Sequence, residues 1–208
     1  MSASTAPSLQ RRTSRIDALV SDVFTPAVSI FLICLIAGIA GQPHHSSGVI
    51  WGLVLGVFCS VIPKVAVQLA KKRSDSNHSE TSWKKKRWLA IVVSAGSLML
   101  CSAVTLWLDA PPLTVWALCT MIVGLVVSAT ITVTGVKTSM HSFCVTSLMM
   151  LMIVALSPWW IILALILAPA MGISRVRLGE HTTTEVIIGT TTAMTLVLLA
   201  QLLMPPIS

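Results

Sequence analysis

Three polar stretches interrupt an otherwise oily chain of 208 residues, and each carries side chains suited to handling a small anion. At SRVRLGEHTTTE, residues 174–185, stand Ser174, Arg175, His181 and Glu185; at KTSMH, residues 137–141, stand Lys137, Ser139 and His141. RSDSNHSETSWKKKR, residues 73–87, adds Asp75, His78, Lys84 and Arg87. A phosphate monoester brings close to two negative charges, so holding one at the edge of a low-dielectric medium calls for several cations and hydrogen-bond donors. Arg175 offers a planar fork for two oxygens. Lys84, Arg87 and Lys137, with the hydroxyls of Ser139 and Ser174, add contacts, and backbone amides at a helix start after Met140 form a nest for the same anion. Splitting the ester needs a nucleophile and an acid for the leaving oxygen. Two histidines can divide that work, because an imidazole titrates near neutral pH.

Ser174-Arg175, five residues, His181, three residues and an acid at Glu185 make a fairly specific pattern. Together with Lys137-Thr-Ser139-Met-His141 about 40 residues upstream, it resembles the last two signatures of the type-2 phosphatidic acid phosphatase superfamily, integral-membrane lipid phosphatases related to the vanadium haloperoxidases. The resemblance spans roughly residues 45–200. Thr138 and Met140 stand where that pattern usually has Pro and Gly, in the manner of a Lys-x-Ser-x-His branch of the superfamily. The usual first signature, a Lys followed six residues later by Arg-Pro, is absent; residues 73–87 resemble the Ser-Asp-x-x-His and arginine-rich loop of that same branch. The resemblance implies that His181 attacks phosphorus to give a phosphohistidine, that Glu185 orients its ring, and that His141 protonates the departing alcohol and then activates water. It carries phosphate binding to Lys84 and Arg87 by position. No metal or other cofactor is implied, and the few acids are not grouped like a magnesium or zinc cage.

Those residues must be positioned by helices in a membrane. The chain is 55% apolar and only 10% charged, against roughly 25% charged residues in an ordinary soluble domain. Apolar runs fall at about 25–41, 48–70, 88–108, 112–135, 142–157, 158–173 and 186–203, divided by Pro, Gly and polar residues. This pattern predicts an all-α, polytopic membrane helix bundle with six or seven transmembrane helices, each of about 20 residues. Residues 1–21 read as a cytoplasmic amino-terminal segment, disordered and then briefly helical, and residues 22–208 as a single transmembrane domain. No cleavable secretion signal is apparent, so the first apolar run is expected to stay as a helix. Cys34, Cys59, Cys101, Cys119 and Cys144 all lie inside apolar runs without metal-ligand or disulfide spacing, and read as small core residues.

Residues 42–47, 109–112 and 157–158 contain no Lys or Arg, whereas every basic residue maps to the other side of the bundle, which the positive-inside rule makes cytoplasmic. The loops 71–87, 135–142 and 174–185 then meet at one face, and three distant stretches can form one site. The fifth and sixth runs are short, roughly 24 Å each at 1.5 Å per residue, so their polar ends belong at headgroup depth. The expected location is a cell membrane crossed several times, with a lipid phosphate and the bilayer as partners and no nucleic acid.

Plainer roles stand beside these. Thr182-x-x-Glu185 ahead of Val-Ile-Ile is also a capping box, and a carboxylate one helical turn after His181 can serve both purposes. Arg177 and Glu180 read as a surface pair outside the site, and Lys85 and Lys86 as topology or headgroup anchors. His44 and His45 fall on the opposite face, while Asp75 and His78 either support the site or belong to a plain polar loop. Met149, Met150 and Met152 read as packing, and Trp159-Trp160 as an interfacial anchor. Two other functions fit a basic membrane face: a noncatalytic transporter or scramblase of anionic lipids with a retained phosphate pocket, and a scaffold that recruits lipid or a partner.

Overall fold

The computed structural model describes residues 7–41, 45–73 and 80–203, which form helices and no strand. The α-helices are α1 (Pro7–Val23), α2 (Pro26–Ala40), α3 (His45–Gly56), α4 (Ile62–Arg73), α5 (Glu80–Trp107), α6 (Pro112–Val133), α7 (Met140–Ala155), α8 (Ile161–Arg177) and α9 (Thr183–Gln201). Pro7, Pro26 and Pro112 each open a helix, where a missing N–H costs nothing and a fixed φ helps. A π-helical turn, Val57–Val61, joins α3 to α4, and a 3-10 turn, Pro158–Trp160, leads into α8. The described part of the amino-terminal segment thus belongs to a 17-residue helix, longer than the short one expected.

The apolar runs all fold as helices, but their lengths differ. Ser47–Leu69, Pro112–Ile131, Pro158–Arg177 and Thr183–Gln201 are long and apolar enough to cross a bilayer. A fifth crossing follows if the α1–α2 pair, bent by 42° at Phe24-Thr25, counts as one. Val92–Trp107 and Met140–Ala155 are apolar but shorter. The protein is therefore a helical membrane bundle whose described residues provide four or five full-length spans rather than the six or seven expected. The shortfall has a physical cause: α2 has 15 residues and α7 has 16, below the roughly 20 that a bilayer core requires.

Two packing devices hold the bundle. Between α2 and α3 the backbones touch: a Cβ added at Gly48 would lie 2.6 Å from the Gly38 carbonyl oxygen, and one at Gly52 would lie 2.8 Å from Leu35 Cα. Small residues four apart permit that approach, which suits a membrane, where packing replaces the hydrophobic drive between helices. The second device is a buried centre. α7 lies among α2, α8 and α9, and Phe143, Cys144, Val145, Leu148, Met149 and Leu151 are buried along it. Outward-facing side chains such as Leu106, Leu165 and Ile166 are 62–72% exposed, as lipid-facing residues should be. Four of the cysteines are buried, but Cys119 points outward from α6, a correction to the reading of all five as core.

Candidate functional site

The turn between α8 and α9 is made by two local devices in succession. Gly179, at φ 71°, occupies the left-handed position just after α8. The Gly179 N–H donates to Val176 O at 3.0 Å and the Glu180 N–H to Arg175 O at 3.2 Å, the paired bonds of a Schellman stop. Three residues later Thr182 begins α9: its hydroxyl accepts the Glu185 N–H at 3.3 Å, and Glu185 Oε2 accepts the Thr182 N–H at 3.3 Å. This is the capping box that the sequence announced.

His181 is caught between the stop and the start. Its own N–H donates to Arg175 O at 3.3 Å, and its ring Nδ1 lies 2.6 Å from Glu185 Oε2. Glu185 therefore caps the helix and holds the imidazole with the same oxygen. A carboxylate on Nδ1 fixes the proton there and leaves Nε2 with its lone pair, the state a nucleophile or base requires. Both side chains are about one-fifth exposed, so the ring is held yet reachable.

α7 begins beside this turn. Ser139 caps it, accepting the Ser142 N–H at 3.5 Å, and the Ser139 N–H donates to Glu185 O at 3.1 Å, which ties the start of α7 to that of α9. Gly189 lets the two helices touch, since a Cβ there would lie 2.7 Å from Ser139 O. Consequently His141, in the first turn of α7, lies within electrostatic reach of both Arg175 and His181. The two histidines share one end of the bundle. Lys137 is exposed in the preceding loop and acts electrostatically on Glu185. Thr138 Oγ1, which the sequence reading passed over, is buried there without a partner.

Arg175 and Ser174 are placed differently from expectation. Ser174 is buried, and its hydroxyl donates to Asp17 O of α1 at 2.5 Å, so it ties two helices together instead of standing as a free donor. Arg175 is 6% exposed. Its Nη1 donates to Ser21 Oγ at 2.6 Å, its Nη2 pairs with the Glu180 carboxylate, and its Nε is buried with no partner. The pair expected between Arg177 and Glu180 is thus corrected: Glu180 serves Arg175, and Arg177 stands 3.9 Å from Asp17. The exchange follows from burial, because a guanidinium sealed under α1 needs a counter-charge more than an exposed one does. Asp17 and Ser21 were missed by sequence reasoning, although polar residues four apart in the apolar stretch IDALVSDVF mark one buried helix face.

The side chains of Lys84 and Arg87 lie outside the described residues, as do Asp75 and His78 altogether. Among the described residues no three of His, Cys, Asp and Glu are gathered as a metal site. Beside the turn, a groove of about 710 Å³ runs between α7, α8 and α9, with Arg177 and Thr183 at one end and Ile161 and Met194 at the other. Compared with family models, curated proteins and solved structures, the chain matches none of them.

Proposed function

We propose that this protein is a metal-independent phosphatase of lipid phosphomonoesters, working at the cytoplasmic face of a cell membrane and akin to the type-2 phosphatidic acid phosphatases. The supporting observation is the His181 ring, held through Nδ1 by Glu185 at 2.6 Å and grouped at one bundle end with His141 and a buried Arg175 whose Nε lacks a partner. In this reading the short helices α2 and α7 and the apolar part of α5 also cross, with their polar ends at headgroup depth, giving seven crossings. The basic residues then share the cytoplasmic side.

A phosphate oxygen on Arg175 Nε satisfies a donor that is otherwise orphaned in the bundle. With the phosphate so placed, His181 Nε2 attacks phosphorus, the phosphorus–oxygen bond to the lipid breaks, and His141 gives its proton to the departing alkoxide. Water, deprotonated by His141, then cleaves the phosphohistidine and inorganic phosphate leaves. Glu185 stabilises the imidazolium that develops between the two steps. Lys137, and Lys84 and Arg87 from the first turns of α5, add positive potential around the anion. The groove along α8 is about 24 Å long at 1.5 Å per residue, and it fits a lipid tail while Arg177 and Thr183 mark its polar mouth. Phosphatidic-acid-like lipids, polyprenyl phosphates and phosphorylated polyprenyl sugars all present the same headgroup chemistry.

Purified protein in detergent should release inorganic phosphate from one of these lipids without added magnesium, and His181→Ala should abolish the release. Full activity in that variant would end the assignment. A noncatalytic lipid transporter or scramblase would instead keep moving lipid between leaflets after both histidines are replaced, with no phosphate released by the wild type.

A further inference from the structure

Asp17, Ser21, Ser174 and Arg175 are sealed together between α1 and α8, none of them more than 8% exposed. On the same two helices Val20 and Phe24 pack against the apolar cluster that holds Met171, and an unbonded donor buried beside such a cluster is costly. The Ser174 hydroxyl on Asp17 O at 2.5 Å sets the register of α1 against α8. One turn further along α1, Ser21 Oγ takes Arg175 Nη1 at 2.6 Å. A neutral acceptor at this place has a specific consequence: it fixes one edge of the guanidinium without cancelling its charge. Carboxylates stand nearby, Glu180 on Nη2 and Asp22 acting through its field, yet Nε still has no partner. Without Ser21, a guanidinium on a flexible stem, already paired with Glu180 through Nη2, is free to rotate and bring Nε to a carboxylate as well.

We propose that Ser21 is the positioning residue of the anion site: from the amino-terminal helix it holds the Nη1 edge of Arg175 so that the Nε edge faces the phosphate. This rests on the phosphatase reading and extends the site to a helix that lies outside the signature motifs. Ser21 itself contacts no substrate. Its effect runs through ground-state and transition-state binding of the phosphate alike, so KM should move and kcat should not.

The full-length protein in detergent is assayed for phosphate release from whichever lipid phosphate the wild type turns over fastest, with inorganic phosphate as a competing product. Ser21→Ala should raise KM and the inhibition constant of inorganic phosphate together, by about tenfold, the scale of one hydrogen bond to a charged group. The turnover number should stay within about twofold of wild type, and Ser21→Thr, which keeps the acceptor, should restore both constants. In an Arg175→Lys background Ser21→Ala should change neither constant, because the pair acts as one unit. Unchanged KM and phosphate inhibition in Ser21→Ala, with or without a lower melting temperature, overturn the proposal and leave the phosphatase reading standing. If Ser21→Ala does not accumulate, Ser21→Cys, a weaker acceptor of similar volume, carries the same expectation and the same refutation. A wild type that binds inorganic phosphate without turning over any lipid phosphate, and binds it more weakly as Ser21→Ala, keeps the anion site and removes the phosphatase. A wild type that does neither overturns both.

Discussion

Two tight corners reverse the chain, α5 into α6 and α8 into α9, and they do so with different chemistry. At the first, Asp109 takes φ 48°, the Ala110 N–H donates to Thr105 O at 2.9 Å, and Pro111 leads into α6. That corner lies at the far end of the bundle, where Trp116 Nε1 of α6 donates to Ala200 O near the end of α9 at 2.8 Å. It contains no cation and no histidine. The second corner needs a left-handed residue and a cap as well, and Gly179, Thr182 and Glu185 meet that need. Neither Arg175 nor His181 is required to turn the chain. Their presence at one corner and absence at the other marks the surplus that function has to explain.

The sharpest way to break the comparison is at His141, which stands in the first turn of α7 within electrostatic reach of the second corner's Arg175 and His181. If it supplies the proton to the leaving oxygen, His141→Ala should lower turnover by about 10²- to 10⁴-fold, the usual worth of a positioned acid or base. A phosphorylated His181 should then accumulate, because dephosphorylation loses its base as well, and radiolabelled lipid phosphate would reveal it as acid-labile label on the protein. Asp109→Ala at the opposite corner should leave turnover unchanged. Equal losses at both corners would reduce the polar end to ordinary structure.

Glu185 comes next, because it does two jobs that two substitutions can separate. Glu185→Gln keeps an oxygen for the Thr182 N–H and for His181 Nδ1, so the capping box survives while the charge opposite the ring is lost. Turnover should fall roughly tenfold, about 1.4 kcal/mol, with the melting temperature held. Glu185→Ala should lose the same activity or more, and also about 1 kcal/mol of stability from the broken cap, read as a lower melting temperature in detergent. If Gln and Ala were alike in stability and both kept full turnover, the carboxylate would be neither cap nor catalytic support.

What could be read from the sequence divides along the same line between local and distant. The runs expected to begin near 25, 112 and 158 coincide with α2, α6 and the 3-10 turn before α8, opened by Pro26, Pro112 and Pro158, and Thr182-x-x-Glu185 marked a capping box, because each is decided within one turn of chain. The convergence of KTSMH with SRVRLGEH was legible too, through alternation of charge across the membrane, and the Ser139 N–H to Glu185 O bond brings those stretches together. The partners of Arg175 were not legible. Ser21 lies 154 positions away, and nothing in the spacing of residues 174–185 says that Glu180 turns inward to Arg175 and not outward to Arg177. The lengths of the spans were hidden for a related reason: apolar runs give composition, whereas α2 and α7 end where Gly41 and Ser157-Pro158 stop them, below the roughly 20 residues of a full-length span.

The smallest effects test the backbone of the two corners directly, and they should have opposite signs. Gly179 holds φ 71°, a conformation that costs an L-residue about 1–2 kcal/mol, and a Cβ there meets no atom, so strain alone decides the outcome. Gly179→Ala should therefore lower stability by roughly 1 kcal/mol and loosen the link that sets Arg175 O against the His181 N–H, with turnover falling a few-fold. Asp109 already bears such strain at φ 48°, so Asp109→Gly should relieve it and raise stability by up to about 1 kcal/mol, less the greater freedom glycine gives the unfolded chain. Its turnover should be that of the wild type, since nothing at that corner reaches the histidines. Melting curves and phosphate release measured on the two variants side by side decide the matter: a few-fold activity change that follows stability at both corners alike would mean that the α8–α9 turn holds helices together and positions nothing.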